Sequence, residues 1–189
     1  MEKKYNEAYE GLKLFQTYAS SVGVHDVFAD NAGKTLIVAH ALNLTLLNTK
    51  NGNDIINSVG KEFELKCTTK LPHHKQFKGF SAGSRLSINT IENRFSKVRW
   101  CFAAFIGIEL DKVWGMQSNQ LTNYFTLWKQ KLIDGEKLNN PKIPYKYVET
   151  NGLLLWTNNK NKLTNASPSA ITSLVAQTAS PCLIEESNE

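Results

Sequence analysis

Residues 62–69, Glu-Phe-Glu-Leu-Lys-Cys-Thr-Thr, open with charged and apolar side chains in strict alternation. A period of two fits a β-strand and no helix, so it puts Glu62, Glu64 and Lys66 on one face and Phe63, Leu65 and Cys67 on the other. Leu65 then anchors the strand in a core while Glu64 and Lys66 project together. Asp54 stands ten residues ahead of Glu64, in the stretch GNDIINSVGKEFELK, and a turn at Asn57-Ser58-Val59-Gly60 can fold it back beside Glu64. Two carboxylates and the backbone carbonyl of Leu65 form an all-oxygen donor set that suits Mg2+. A cation held there neutralises phosphate charge and acidifies a bound water. Lys66 can orient that water or stabilise charge growing on phosphorus. An exposed strand face with a Glu–Lys pair of little energetic weight satisfies the same pattern.

Charge placement favours the chemical reading. The chain of 189 residues has a net charge of +5, yet residues 61–99 alone hold nine Lys/Arg against three acids. A basic surface beside a carboxylate pair points to a phosphodiester polymer as ligand. With 41% hydrophobic and 21% charged residues, the chain has the material for one cored domain. No apolar run approaches the roughly 18 residues of a membrane span, and the segment MEKKYNEAYE is too polar for a signal peptide. Cys67, Cys101 and Cys182 are odd in number and irregularly spaced, so neither a disulfide framework nor a zinc site is expected, and a reducing cytoplasm is.

Around this centre the pattern predicts an α+β fold, a mixed central β-sheet of five or six strands flanked by helices. Residues 3–20 carry apolar side chains at helical spacing. The stretch 30–34 (DNAGK) reads as a turn, and 35–48 as a strand pair or a short helix running into a strand. Residues 71–85 read as loop, and 99–116 as two strands broken near Gly107. Ser118 is the expected cap of a helix bearing Leu121, Tyr124, Phe125, Trp128 and Leu132. The Asn151-Gly152 dipeptide predicts a β-hairpin over 145–156. A single domain over 1–157 is expected, with 50–116 as its catalytic core and 139–157 as a reading segment and hairpin. Residues 158–189 read as a loosely ordered polar tail.

Several dense stretches also resemble one known family. DNAGK (30–34), GND followed by GKEFELK, KGFS (78–81), VRWCFAAFIGIEL (98–110) and NNPKIPYKYV (139–148) occur in the order found in PvuII-like type II restriction endonucleases, members of the PD-(D/E)xK superfamily. The resemblance runs from about residue 12 to 156. It implies a restriction-endonuclease-like core, Mg2+-dependent cleavage of double-stranded DNA at a short palindrome leaving 5′-phosphate ends, and a homodimer with residues 3–20 at its contact. A cognate DNA methyltransferase is expected in the same system, not bound to the enzyme. By matching position, Asp54, Glu64 and Lys66 are the implied catalytic set, with Asp54, Glu64 and Leu65 as metal ligands. Ser81 and Asn140 match base-contacting positions, and Asp30, Ser84, Asn139 and Lys142 join the candidate DNA-binding set.

The chain departs from the family after GFS, where Ala82-Gly83-Ser84-Arg85 replaces a Thr and a run of His. Arg85 can pair with guanine O6 and N7 or hold a phosphate; Asn140 can pair with adenine. Phe95 stands where the family has a tyrosine near its catalytic groove. A structure-specific nuclease of the junction-resolvase type and a non-catalytic DNA-binding protein are the rival readings.

Overall fold

The computed structural model describes residues 2–47, 53–71 and 73–158. The expected tail lies outside the described residues, apart from Asn158. In chain order the elements are α1 (Glu2–Ser21), α2 (Ala32–Leu42), β1 (Thr45–Leu46), β2 (Ile55–Ile56), β3 (Glu62–Lys70) and β4 (Phe80–Ser81). A short helix α3 (Ile88–Thr90) runs into a π-helical turn (Ile91–Phe95), then come β5 (Arg99–Ile106) and β6 (Glu109–Met116). After a 3-10 turn (Ser118–Leu121) follow α4 (Thr122–Ile133), β7 (Lys142–Ile143), α5 (Tyr145–Asn151) and β8 (Leu153–Thr157). Six strands form a mixed sheet in the order β1-β2-β3-β5-β6-β8, with β3 and β5 parallel and the other neighbours antiparallel. β4 and β7 pair separately.

The expected α+β architecture is present, and β5 shows why it holds. Its apolar run is buried at nearly every position, as befits a parallel strand covered on both faces. Trp100, Phe102 and Ala104 belong to one core cluster with Phe80, Phe95, Phe125 and Ile143. Cys101, Ala103 and Phe105 belong to the other, with Phe63, Leu65 and Leu42. The two-residue period thus divides the core between the faces of the sheet. α4 covers the first face through Leu121, Phe125 and Trp128, spaced at helical intervals.

Three local expectations need correction. Residues 145–151 are helical, and Gly152 has φ −83°, which a type I′ turn excludes. Val148 is fully buried, and Tyr145 stacks on Phe77 at 4.4 Å and meets Trp114 in a T-shaped contact at 5.5 Å, so tertiary packing overrides the Asn-Gly signal. Gly152 serves close approach instead: a Cβ there would meet Val148 O at 2.7 Å and Trp114 Cβ at 2.9 Å. In 30–34 only Asp30 and Asn31 form the turn, both with positive φ, because α2 begins at Ala32. Of the stretch 35–48, the described residues 35–47 follow its helix-then-strand alternative, with Asn43 ending α2 in the left-handed region. The cap before the 3-10 turn is Gln117, whose side chain forms a reciprocal box with Gln120, rather than Ser118. Among the described residues no helix is long and apolar enough to cross a membrane.

Candidate active site

β3 presents Glu64 and Lys66 to the face that carries Trp100, which lies beside Glu64 in the parallel register. Asp54 is brought alongside by the β2–β3 hairpin. Its turn is held by Asn57, whose side-chain oxygen accepts from Val59 N and Lys61 N, while Gly60 supplies φ 77°. The Asp54 backbone is pinned on both sides: its N–H donates to Phe63 O at 3.0 Å and its carbonyl accepts from Leu47 N at 3.0 Å. Asp54 Oδ2 accepts from Leu65 N at 2.7 Å, so the carboxylate reaches β3 itself.

Glu64 is 1% exposed. Its Oε1 takes two cations, Lys66 Nζ at 2.5 Å and Arg94 Nη2 at 2.7 Å. Its Oε2 is buried and has no hydrogen-bond partner. The charge is thus paired through one oxygen, while the other is taken out of water without compensation. Below it, Phe95, Trp100 and Phe102 are all fully buried. Asp54 is affected by the same burial: desolvation first, then the charge of Glu64, pushes its carboxyl above the ordinary range, against the pull of Lys66, the Leu65 N–H and Arg94.

These features fit a hard divalent cation. The unpartnered Glu64 Oε2 and the desolvated Asp54 carboxyl are what such an ion would relieve. Among the described residues no three His, Cys, Asp or Glu side chains converge on one point. Further ligands must then come from backbone, such as the Leu65 carbonyl, or from water, as Mg2+ tolerates.

Arg94 was not among the residues singled out from sequence. It lies on the π-helical turn, 30 residues from Glu64, and its guanidinium sits 4.9 Å from the centre of the Phe95 ring. Its neighbour Phe95, marked for its missing hydroxyl, was the nearest signal.

Six of the seven candidate DNA-binding residues gather in one place. β4 pairs with β7 through Ser81 opposite Lys142, and further backbone bonds join Ala82 N to Pro141 O at 2.9 Å and Asn140 N to Gly83 O at 3.1 Å. Ser81 Oγ donates to Asn140 Oδ1 at 3.1 Å. Ser84, Arg85, Asn139, Asn140 and Lys142 are exposed, and both Arg85 and Asn140 hold φ 53°. The unit sits on the Glu64 face of the sheet, where Phe80 meets Phe102 edge-on at 5.0 Å. Asp30 stands in a different place, exposed in the turn before α2. Cys67 and Cys101 are free thiols, and burial pushes both up to about 12, so neither is a nucleophile.

A mixed sheet flanked by helices, with acids converging at the start of a central strand, is a restriction-endonuclease-like core. The family model described as Restriction endonuclease PvuII matches residues 1–156, and the chain belongs to that family. It is thus a DNA-binding nuclease of the restriction type.

Proposed function

We propose that the protein is a Mg2+-dependent type II restriction endonuclease that cuts both strands of a short DNA palindrome as a homodimer. The observation that carries this reading is the unpartnered Glu64 Oε2 beside the desolvated Asp54 carboxyl, with Lys66 paired to Glu64. Asp54, Glu64 and the Leu65 carbonyl would hold the cation. When bound, that cation supplies charge neutralisation at the phosphate and a more acidic water. Lys66 is anchored by Glu64 and donates toward the phosphate oxygens as negative charge builds on them. Attack of water on phosphorus breaks the bond to O3′ and leaves a 5′-phosphate and a 3′-hydroxyl. The β4–β7 unit would lie against the major groove and present Arg85, Asn139 and Asn140 to base edges, with Lys142 toward the backbone.

A two-fold dimer suits a palindrome, because each subunit then meets the same half-site. The exposed apolar side chains of α1 support the dimer: Tyr5 and Tyr9 stack on one side of the helix, and Leu14 and Tyr18 are exposed on the opposite side. An apolar groove lined by Leu12, Phe15, Phe28 and Ile108 opens beside it. A cytoplasmic protein with DNA as its partner completes the reading. Digestion of a fully sequenced plasmid with Mg2+, with the ends mapped, tests it. Discrete fragments with 5′-phosphate ends at one palindrome are expected. Cleavage confined to branched DNA would replace this reading by the junction-nuclease one.

A further inference from the structure

The charge cluster at Glu64 is complete before any cation arrives. Two carboxylates, Asp54 and Glu64, face two cations, Lys66 and Arg94, and when all are ionised the formal sum is zero. Placing a divalent cation there leaves a double positive excess in a buried site, unless a resident cation withdraws or an anion enters. Lys66 is poorly placed to withdraw, since its backbone is fixed in β3 two residues from Glu64 and its side chain is 17% exposed. Arg94 is better placed. It is 32% exposed, reaches Glu64 from a π-helical turn, and leaves a buried Nε without a hydrogen-bond partner. Such turns are common at functional sites. Its resting contact on Phe95 is with a ring face that offers no hydroxyl to retain it.

We propose that Arg94 is an exchanging counter-ion: it neutralises Glu64 in the cation-free protein and moves to a DNA backbone phosphate when a divalent cation takes Glu64. The guanidinium fork suits a phosphate diester, which it can bind through two N–H groups. The move removes one positive charge from Glu64 and brings one negative charge to the site. Cation binding and DNA binding then assist each other through one side chain. This inference rests on the nuclease reading above. A purely structural clamp makes the opposite forecast, because loss of a clamp would loosen Glu64 and weaken its hold on a cation.

The test uses the full chain, wild type and with Arg94→Ala, Arg94→Gln or Arg94→Lys, each checked for folding by thermal unfolding. Mn2+ is titrated calorimetrically into metal-free protein without DNA. Binding to a linear duplex carrying the mapped cleavage site is then measured in Ca2+ over a range of salt. Arg94→Ala and Arg94→Gln should bind Mn2+ roughly tenfold tighter, the scale of one competing charge-assisted hydrogen bond removed. They should bind the duplex roughly tenfold more weakly, with a salt slope lower by about one. Arg94→Lys should keep part of both properties. A folded Arg94→Ala or Arg94→Gln with unchanged or weaker Mn2+ binding overturns the exchange. So does tighter Mn2+ binding with unchanged duplex affinity. A wild type that binds no Mn2+ at all overturns the metal-site reading together with this one, whereas the first two results overturn this one alone.

Discussion

Glu64 and Arg85 lie on the same side of the sheet and are held in opposite ways. Glu64 is sealed from solvent, shares one oxygen between two cations and leaves the other empty. Arg85 is exposed, in a loop whose shape comes from backbone bonds between the 81–86 and 138–143 segments and from a positive φ of its own. In the first region the side chains depend on one another through buried charge, so changing one alters the electrostatic setting of the rest. In the second the frame is main chain, and exposed side chains can change without disturbing it. A site built in the first way tolerates little substitution, whereas one built in the second can acquire new specificity. The contrast is in line with the resemblance read from sequence, which breaks off at Ala82-Gly83-Ser84-Arg85 and holds at Asp54, Glu64 and Lys66.

The largest expected effect is in the buried region. Asp54→Ala and Lys66→Ala should each lower the cleavage rate by several orders of magnitude, on the scale of lost charge stabilisation in phosphoryl chemistry. Lys66→Arg should not restore activity, since a planar fork does not replace a compact ammonium 2.5 Å from Glu64 Oε1. Single-turnover rates decide this, and a rate within tenfold of wild type for any of the three would break the contrast.

Next comes the frame of the exposed region. Gly79 has φ 113°, and a Cβ there would meet Ile143 O at 2.8 Å. Gly79→Ala should cost about 1–3 kcal/mol from the backbone strain alone. It should also push β4 from β7 and impair DNA discrimination more than metal binding. Chemical denaturation and calorimetry read the two parts. Gly83→Ala, strained at φ 118° but with open space around it, is the control for strain without collision.

Smaller effects belong to single exposed side chains. Arg85→Ala should cost about 1–3 kcal/mol of discrimination at one symmetric base-pair position if Arg85 reads guanine, with the other positions unaffected. Asn140→Ala should behave alike, and Ser81→Ala should show a weaker form of it, because Ser81 Oγ holds Asn140 Oδ1. Cleavage of duplexes carrying every single-base change of the site measures this. Uniform loss across the set would assign Arg85 to a phosphate.

Much of the buried region was legible because strand periodicity is local. Glu64, Leu65 and Lys66 occupy consecutive positions, and Asp54 is joined to them by one short turn rich in Asn and Gly. The break at Gly107, with φ 61°, was legible for the same reason. Arg94 was not, since a contact spanning 30 residues leaves no spacing to read. The helix over 145–151 was hidden by its Asn-Gly dipeptide, and it is held by Tyr145 on Phe77 and by the buried Val148, partners far away in sequence. The pairing of β4 with β7 was likewise invisible as a sheet. The two segments were nonetheless picked out, through the stretches KGFS and NNPKIPYKYV.

The smallest expected effect is on stability. The Asp54 carboxyl is raised in the fold, so the fold favours its neutral form. As pH rises from the ordinary value of 3.8 through the raised one, the native protein loses stability that it has at lower pH. In chelator, Asp54→Asn should keep the bond from Leu65 N and lose this pH dependence, so its stability relative to wild type should grow across that window. Thermal unfolding as a function of pH shows the direction, and a wild type that gains relative to the variant as pH rises would reverse the assigned cause.

Asp54 and Glu64 are expected to hold the cation on which cleavage depends, and following binding and cutting together in wild type and Asp54→Ala tests this directly. Wild type should bind Mn2+ in calorimetry, cut the mapped site with Mg2+ or Mn2+, and stop in excess chelator. Asp54→Ala should remain folded, lose the calorimetric Mn2+ signal and leave the duplex intact. Cutting by wild type in excess chelator, or undiminished Mn2+ binding and cleavage in Asp54→Ala, would contradict it.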